Sequence, residues 1–269
     1  MKLKRIALSI LVLLLSANMS FSGEVVEIIT KDLKNSSDGE EKVRMLFSKG
    51  LMKMSTSDEN EMIFNAAAKN MTIISHNDKS YIVMDQNTGS AIKTEMEKAM
   101  EQALAQVPPE QRAMVENMMK QRMASMGAPQ VPEVETSQTE MRKTSRSETV
   151  NGYDCTFYEA YNGDQKEGEL CVASWSELDA SDNIQNSFKS MSEFMEGFLD
   201  QFKQFAPNQM DNNPFTYMKE IGGFPVLSTQ YSDGEPTYQS TLSSITEQDI
   251  EDSAFQPPEG YKLQNMMGM

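Results

Sequence analysis

Histidine, cysteine and tryptophan are almost missing from this sequence, and their scarcity removes most kinds of catalytic site. The 269 residues include one histidine, two cysteines and one tryptophan. We interpret His76, in a predicted turn, as a surface residue, since one imidazole alone makes neither a catalytic triad nor a zinc site. The sequence has no Gly-x-Ser-x-Gly turn, Cys-x-x-Cys pair, phosphate-binding glycine pattern or calcium-loop spacing. We therefore expect a protein that is not an enzyme and has no cofactor and no metal site.

Basic residues are also few in this chain. Lysine and arginine together number 24 against 40 aspartates and glutamates, which gives a formal net charge of −16. A charge of this size and sign repels nucleic acid and anionic lipid headgroups. We expect neither of them as a partner.

Long apolar runs are missing after the first 22 residues. That segment begins with three basic residues, continues through the apolar run Ile6–Leu15 and ends with Ser20-Phe21-Ser22. This order is typical of a secretory signal, and a membrane-spanning helix would need about 20 apolar residues. We predict cleavage near Ser22–Gly23, a mature chain of 247 residues (269 less 22) and no remaining membrane segment. No cysteine lies at the cleavage point, so we expect a periplasmic protein without a lipid anchor.

The two cysteines lie in a predicted β-hairpin that spans Tyr153–Trp175 and turns at Asn162-Gly163-Asp164. Folding the hairpin about Gly163 places Cys155 opposite Cys171 and Tyr153 opposite Ala173. Because side chains alternate along a strand, one apolar face would carry Tyr153, Cys155, Phe157, Cys171, Ala173 and Trp175. Export leads to an oxidising compartment, so we predict a cross-strand disulfide. A one-residue bulge in the hairpin would offset the two thiols.

The residues before position 85 have the pattern of an antiparallel meander. Runs of alternating or β-branched residues are separated by turns about every ten residues. The predicted strands are Glu24–Thr30, Lys42–Lys49, Leu51–Met54, Glu61–Ala67, Asn70–Ser75 and Ser80–Met84. Later strands are predicted at Glu140–Val150, in the hairpin, at Gly222–Tyr231 and at Thr237–Thr246, with a hairpin turn at Asp233-Gly234.

Three segments have helical periodicity instead, with apolar residues three or four positions apart. They are Ser90–Val107, Glu110–Met126 and Ser181–Phe205. The third carries its apolar residues at a strict 4-3-4-3 spacing, at Ile184, Phe188, Met191, Met195, Phe198, Phe202 and Phe205. Strands and helices do not alternate regularly, so a parallel α/β sheet is not expected. We predict one α+β domain over residues 23–269, a large curved antiparallel sheet with helices against one side and a helical insertion at about 90–126.

Several short motifs resemble a bacterial exported family, domain of unknown function 4412 (DUF4412). They are Asn151–Tyr158, Glu169–Leu178, Pro225–Leu227, Tyr231–Gly234 and Phe255–Gly260. The last motif is also similar to the final strand of the LolA and LppX type of periplasmic lipoprotein carrier. The resemblance implies an unclosed barrel of about a dozen strands, whose concave apolar side is plugged by helices and holds acyl chains. The segment Ser90–Met126 departs from this pattern, because it is longer and richer in methionine.

Three functional hypotheses follow. The first is a carrier that holds an apolar ligand, an acyl chain or a lipoprotein, between the sheet and the helices, lined by Phe188, Met191, Met195, Phe198, Phe202, Met96 and Met100. The second is an RseB-like envelope sensor that binds a partner protein. The third is Cu(I) binding by thioethers, with Met118–Met123 and Met266–Met269 as the places to look. The same methionine and phenylalanine stripes are equally the pattern of an irregular, solid core.

Overall fold

The computed structural model describes residues 23–35, 39–55, 59–105, 107–112, 114–115, 139–178, 182–201 and 221–264. These residues form twelve strands and two α-helices. The strands of the first half are β1 (Gly23–Asp32), β2 (Glu40–Ser48), β3 (Leu51–Ser55), β4 (Asn60–Asn65), β5 (Asn70–Ser75) and β6 (Ser80–Met84). Helix α1 (Gln86–Ala105) follows, and then β7 (Thr139–Val150), β8 (Tyr153–Asn162) and β9 (Gln165–Ser174). Helix α2 (Asp182–Asp200) precedes β10 (Gly223–Ser232), β11 (Glu235–Gln248) and β12 (Lys262–Leu263).

Two sequence predictions concern residues that are not described. The secretory signal at residues 1–22 lies outside the described residues and stays a prediction. The helix predicted at Glu110–Met126 is described only at its start, where Pro109–Gln111 forms a 3₁₀ turn. The remainder, from residue 116 onward, lies outside the described residues.

All twelve strands belong to one open sheet, in the order β12-β6-β5-β4-β3-β2-β1-β11-β10-β9-β8-β7. Neighbours pair antiparallel except β12 and β6, which pair parallel. The β1–β6 meander and the β7–β11 meander meet where β1 pairs with β11 along nearly its whole length. The predicted α+β class, with a large curved antiparallel sheet covered by helix on one side, is confirmed.

Tight turns explain why the meander forms as the sequence predicts. Lys49-Gly50, Asn151-Gly152 and Asp233-Gly234 each connect two strands with positive φ at both residues. This geometry matches the right-handed twist of the flanking strands and favours glycine at the second position. The hairpin turn predicted at Asp233-Gly234 is therefore confirmed.

The cysteine hairpin has the predicted face but a different register. Cys155 pairs with Ala173 and Phe157 pairs with Cys171, so the predicted pairing of Cys155 with Cys171 is wrong by two residues. The turn takes two residues rather than three, so that Asn162 pairs with Gln165, and a bulge next to Ala160 adds one more. Together the two changes shift the register by two residues. Because side chains alternate with a period of two, the same side chains remain on the same face. The predicted disulfide is confirmed, and it joins diagonal neighbours whose Cα atoms are 5.3 Å apart.

One row of side chains on β2–β6 forms the centre of the main core. This row, called the covered row because helix α2 lies over it, consists of directly paired residues: Phe47, Met52, Phe64, Met71 and Met84. Each of these side chains is at most 9% exposed. The disulfide and Phe157 belong to the same core cluster, which therefore extends from one half of the sheet into the other.

The opposite face of β1–β6 is covered by the C-terminal segment. Ile250 and Phe255 pack with Val25, Ile63 and Ile74 in a second apolar cluster. The sequence resemblance placed a final strand at 255–260, and this is wrong. Pro257 and Pro258 have no backbone N–H to donate to a ladder. The segment instead passes over the sheet and pairs only at β12, where the Lys262 N–H donates to the Lys79 carbonyl at 3.0 Å.

Helix α1 begins four residues before the predicted start at Ser90. Asp85 caps it, because its carboxylate accepts hydrogen bonds from the Thr88 backbone N–H at 2.6 Å and the Thr88 hydroxyl at 2.7 Å. These bonds hold the pKa of Asp85 below its usual value. The described contacts with α2 lie at the start of α1, where the Ser90 hydroxyl donates to Gln201 Oε1 at 3.0 Å. Most described side chains further along α1 are exposed. The side chains of Met96, Met100 and Ala103, on its predicted apolar stripe, are not described, so the predicted packing of this stripe against the sheet stays a prediction.

Candidate ligand-binding site

Helix α2 carries the predicted apolar stripe, and most of that stripe is buried. Phe188, Met191 and Phe198 are 8%, 3% and 6% exposed, whereas Met195 is half-buried. Phe202 lies outside the described residues. Met96 and Met100 are on α1, but the positions of their side chains are not described. A ligand-lining role for these seven residues therefore stays a prediction.

The strict 4-3-4-3 spacing missed one of the main anchors of α2. Phe194 is 5% exposed, although the predicted stripe used its neighbour Met195. Phe194 and Met195 are neighbours in the chain, so they lie about 100° apart around the helix. The strict spacing admitted only one of them, whereas both pack against the main core.

Aromatic contacts place α2 across the strands, directly over the covered row. The ring of Phe188 lies 5.6 Å from that of Phe47 and 5.7 Å from that of Phe224. The ring of Phe194 lies 5.7 Å from that of Phe64. These are distances at which tilted aromatic pairs attract. Along this line the space between helix and sheet is filled by side chains of the protein itself.

A cleft of about 330 Å³ opens beside α2, at its contact with Trp175. Its apolar part is formed by Trp175 and Phe188, whose rings are 6.4 Å apart. Its remaining lining is Gln185, Asn186, Lys189, Ser192 and Gly222. The cleft therefore has an aromatic floor that continues into the core and a polar rim on one flank of α2. The sequence placed Trp175 on the core face but gave no signal for an opening beside it.

A close backbone approach shapes the end of this cleft. At Gly223, the first residue of β10, an added Cβ would lie 2.2 Å from the backbone oxygen of Ala173. Any side chain there would push β10 away from β9. Glycine thus holds the start of β10 against the strand that leads into Trp175. Phe224, the next residue, has its ring 6.1 Å from Trp175.

Beyond the disulfide, the core face of β7–β10 becomes charged. Glu169 is 8% exposed and pairs with both Arg146 and Lys166, with 2.6 Å between Lys166 Nζ and Glu169 Oε2. Lys166 also lies 2.8 Å from Glu159, and its hydrogen bond holds the pKa of Glu159 below the usual value. The Arg146 guanidinium lies 3.4 Å from the centre of the Phe157 ring, where the apolar core ends. A bulge in β7 between Lys143 and Ser147 interrupts its pairing with β8 next to Arg146.

A second, larger cleft lies on the other face of the cysteine hairpin. It encloses about 520 Å³ and is lined mainly by polar side chains of β7 and β8, among them Lys143, Thr149, Asp154 and Tyr158. Thr149 donates to Asp154 at 2.6 Å. The cleft is wide open and mainly polar, so it is a poorer place for an apolar ligand than the cleft beside Trp175.

His76 is tied into the second apolar cluster rather than free at the surface. Its Nδ1 lies 2.8 Å from the Tyr261 hydroxyl, and its Nε2 lies 3.4 Å from Glu61. This histidine therefore helps to hold the C-terminal segment on the sheet. Within the described ranges, no group of three or more histidine, cysteine, aspartate or glutamate side chains is arranged to hold a metal ion.

None of the helices in the described part of the chain has the length and apolar character needed to cross a membrane.

Comparisons with known proteins agree with the sequence resemblance. The family model described as Domain of unknown function (DUF4412) matches residues 86–261, which is more than half of the 269-residue chain. The chain belongs to this family. No curated protein sequence matches it.

Two solved structures align with most of the chain. An uncharacterized conserved protein from Thermus thermophilus is 5% identical, with 91% of each chain covered and a TM-score of 0.41. A LolA superfamily protein from Nitrosomonas europaea is 11% identical, with 88% of this chain and 91% of that chain covered and a TM-score of 0.20.

Proposed function

We propose that this protein is a non-enzymatic, exported binding or carrier protein that holds an apolar ligand between its sheet and helix α2. The observation that carries the proposal is the cleft beside Trp175, whose aromatic floor is continuous with the main core. Small-molecule sites are clefts of about 300–1,000 Å³ with mostly apolar walls and a few polar groups. The cleft of about 330 Å³ falls within that range.

The packing of α2 supports a ligand that enters along the helix. α2 is held by side-chain packing on one face, and its opposite face is exposed. Phe188 belongs both to the cleft and to the aromatic contacts with Phe47 and Phe224. An acyl chain entering beside Trp175 would therefore meet the side chains that now fill the space, and a small displacement of α2 would lengthen the cleft over the sheet.

The disulfide supports an extracytoplasmic location. Cys155 and Cys171 are joined, and disulfides persist in oxidising compartments such as the bacterial periplasm. Together with the predicted signal segment, this favours a carrier that works in the periplasm. A role as an envelope sensor would use the same apolar site, with a partner protein reading out its occupancy.

The single tryptophan makes the proposal directly measurable. Because Trp175 is the only tryptophan and lines the cleft, a fatty acid carrying bromine atoms on its chain should quench the intrinsic fluorescence in a saturable way. Native mass spectrometry of the freshly purified protein should show a bound lipid mass. A clean ligand-free mass, together with no saturable quenching, would overturn the proposal.

Two neighbouring residues of α2 give a matched pair of variants. Ser192 lines the cleft and is 5% exposed, whereas Glu193 lies on the exposed side of the helix. Ser192→Leu places a larger side chain in the cleft and should weaken fatty-acid binding at least about tenfold, or roughly 1.4 kcal/mol. Glu193→Leu should leave the affinity unchanged. Equal affinities for the two variants, both checked for folding by circular dichroism, would show that the ligand binds elsewhere.

A further inference from the structure

We propose that Met45, Met54 and Met62 form a thioether site for Cu(I) on the core face of the sheet, next to α2. These three residues, the methionine ladder, lie on the adjacent strands β2, β3 and β4. Met45 pairs directly with Met54, and Met54 pairs directly with Met62. The site shares no residue with the cleft beside Trp175 and does not depend on the proposed carrier function.

The register brings the three thioethers together. Directly opposed residues of antiparallel strands have Cβ atoms about 4.5–5.5 Å apart. Each methionine sulfur is only two bonds beyond Cβ, on an unbranched side chain that changes rotamer readily. The two outer sulfurs can therefore turn inward over the central one, so that all three reach a single ion.

The neighbours of the ladder show that methionine is an unusual choice here. The flanking row, in which the ladder lies, runs parallel to the covered row. Its directly paired residues are Ile245, Val26, Met45, Met54, Met62, Ile73 and Ile82. On both sides of the ladder this row uses β-branched residues, which fit a pleated surface best. Three consecutive strands replace them with methionine at the same level of the sheet.

Solvent access distinguishes Met54 and Met62 of the ladder from Met52 and Met71 of the covered row. Helix α2 lies on the covered row, through the contacts of Phe188 and Phe194 with Phe47 and Phe64. Met52 and Met71 beneath it are 1% and 5% exposed. In the flanking row Met45 is 9% exposed, and Met54 and Met62 are half-buried. An ion in water can therefore reach the ladder without unfolding the core.

The ligand set determines which ion fits. Soft thioether ligands select Cu(I) over Zn(II) and over hard cations. Neither cysteine offers a thiolate, because Cys155 and Cys171 are joined in the disulfide. His76 contacts Tyr261 and Glu61 with the C-terminal segment on the other face. The ladder is therefore an all-thioether site, suited to Cu(I) and to Ag(I).

The test is an anaerobic titration of the purified protein, with its disulfide intact, against a colorimetric Cu(I) chelator. One Cu(I) per chain should be retained, and X-ray absorption at the copper edge should show sulfur ligands only. No retention of Cu(I) against a weak chelator would overturn the proposal. Binding of Zn(II) with similar strength would overturn the thioether assignment.

Leucine substitutions locate the site, because leucine replaces methionine in a core at low cost. The triple variant M45L/M54L/M62L should lose the retained Cu(I). The variants M52L/M71L, in the covered row, and M118L/M119L/M123L, in the methionine-rich segment singled out from the sequence, should keep it. Retention by the ladder variant, or equal loss in the M52L/M71L variant, would overturn the proposal. Fatty-acid binding measured on the same variants reports on the carrier function separately.

Discussion

At the scale of single residues, the charged cluster on β8 and β9 makes stability depend on pH. The hydrogen bond from Lys166 lowers the pKa of Glu159 in the folded protein. A carboxylate whose pKa is lower in the folded state stabilises the protein fully above its unfolded pKa, and this contribution is lost as the pH falls through the folded value. The window therefore lies on the acid side of about pH 4.3, the pKa of an unperturbed glutamate.

Glu159→Gln should therefore lower the free energy of unfolding by about 1 kcal/mol near pH 7, as expected for a partly exposed pair. The difference from wild type should disappear as the pH falls well below about 4, where the wild-type carboxyl is also neutral. Urea unfolding at a series of pH values measures both effects. Glu148→Gln, on an exposed position of the neighbouring strand β7, is the control. A wild-type advantage that persists unchanged at acid pH would contradict the assignment.

The hairpin shows what the sequence can and cannot determine at this scale. Alternation along the strands correctly placed Tyr153, Cys155, Phe157, Cys171 and Ala173 on one face, because a strand has a period of two residues. It could not determine the register, because the length of the turn and a single bulge decide it. The shorter turn and the bulge each shifted the register by one residue, so both cysteines stayed on the same face. The disulfide was therefore predicted correctly from an incorrect pairing.

At the scale of elements, α2 contributes five buried apolar side chains to the main core: Ile184, Phe188, Met191, Phe194 and Phe198. Phe194 is 5% exposed and its ring lies against Phe64. Phe194→Ala should lower the free energy of unfolding by about 3–5 kcal/mol, because it removes the buried ring and leaves a cavity. Glu193→Ala, at the preceding exposed position, should change it by less than about 0.5 kcal/mol. Chemical denaturation of the two variants makes the comparison, and similar values would mean that α2 is not anchored through Phe194.

Elements with a strong local pattern were predicted well, and arrangements that join distant segments were not. Strands β5 and β6 have the predicted boundaries, since alternation and turn residues define each strand locally. The methionine ladder was missed because it runs across strands: Met45, Met54 and Met62 line up only when two hairpin registers are known.

At the scale of the whole molecule, the pairing of β1 with β11 joins the two halves into one sheet. Residues 86–261 match the family model. One of the two neighbours of β11, however, is β1, which consists of residues 23–32 and lies outside that match. The side chains of Val26 and Leu242, one on each strand, belong to the same main core. We therefore expect one cooperative unfolding transition, with no independently stable half.

Deletion of residues 23–32 should abolish that transition, because it exposes both β2 and β11 as unpaired edges in the middle of the sheet. Deletion of residues 262–269 removes only the two-residue edge strand β12 and residues beyond it, and should leave a folded protein with a lower melting temperature. Calorimetry and urea gradients on both truncated chains measure the outcome. A cooperative, native-like transition after loss of residues 23–32 would show that the two halves of the sheet do not need β1 to fold.

The central position of β1 also has a consequence for the time at which the sheet can be completed. As the polypeptide emerges from the ribosome, residues 23–84 can pair with one another early, since their contacts are close in sequence. The second neighbour of β1, however, consists of residues 235–248, and contacts between such distant residues form slowly. The sheet of a nascent chain should therefore stay incompletely folded until almost the whole length has been synthesised. An incompletely folded chain is one that can still be threaded across a membrane.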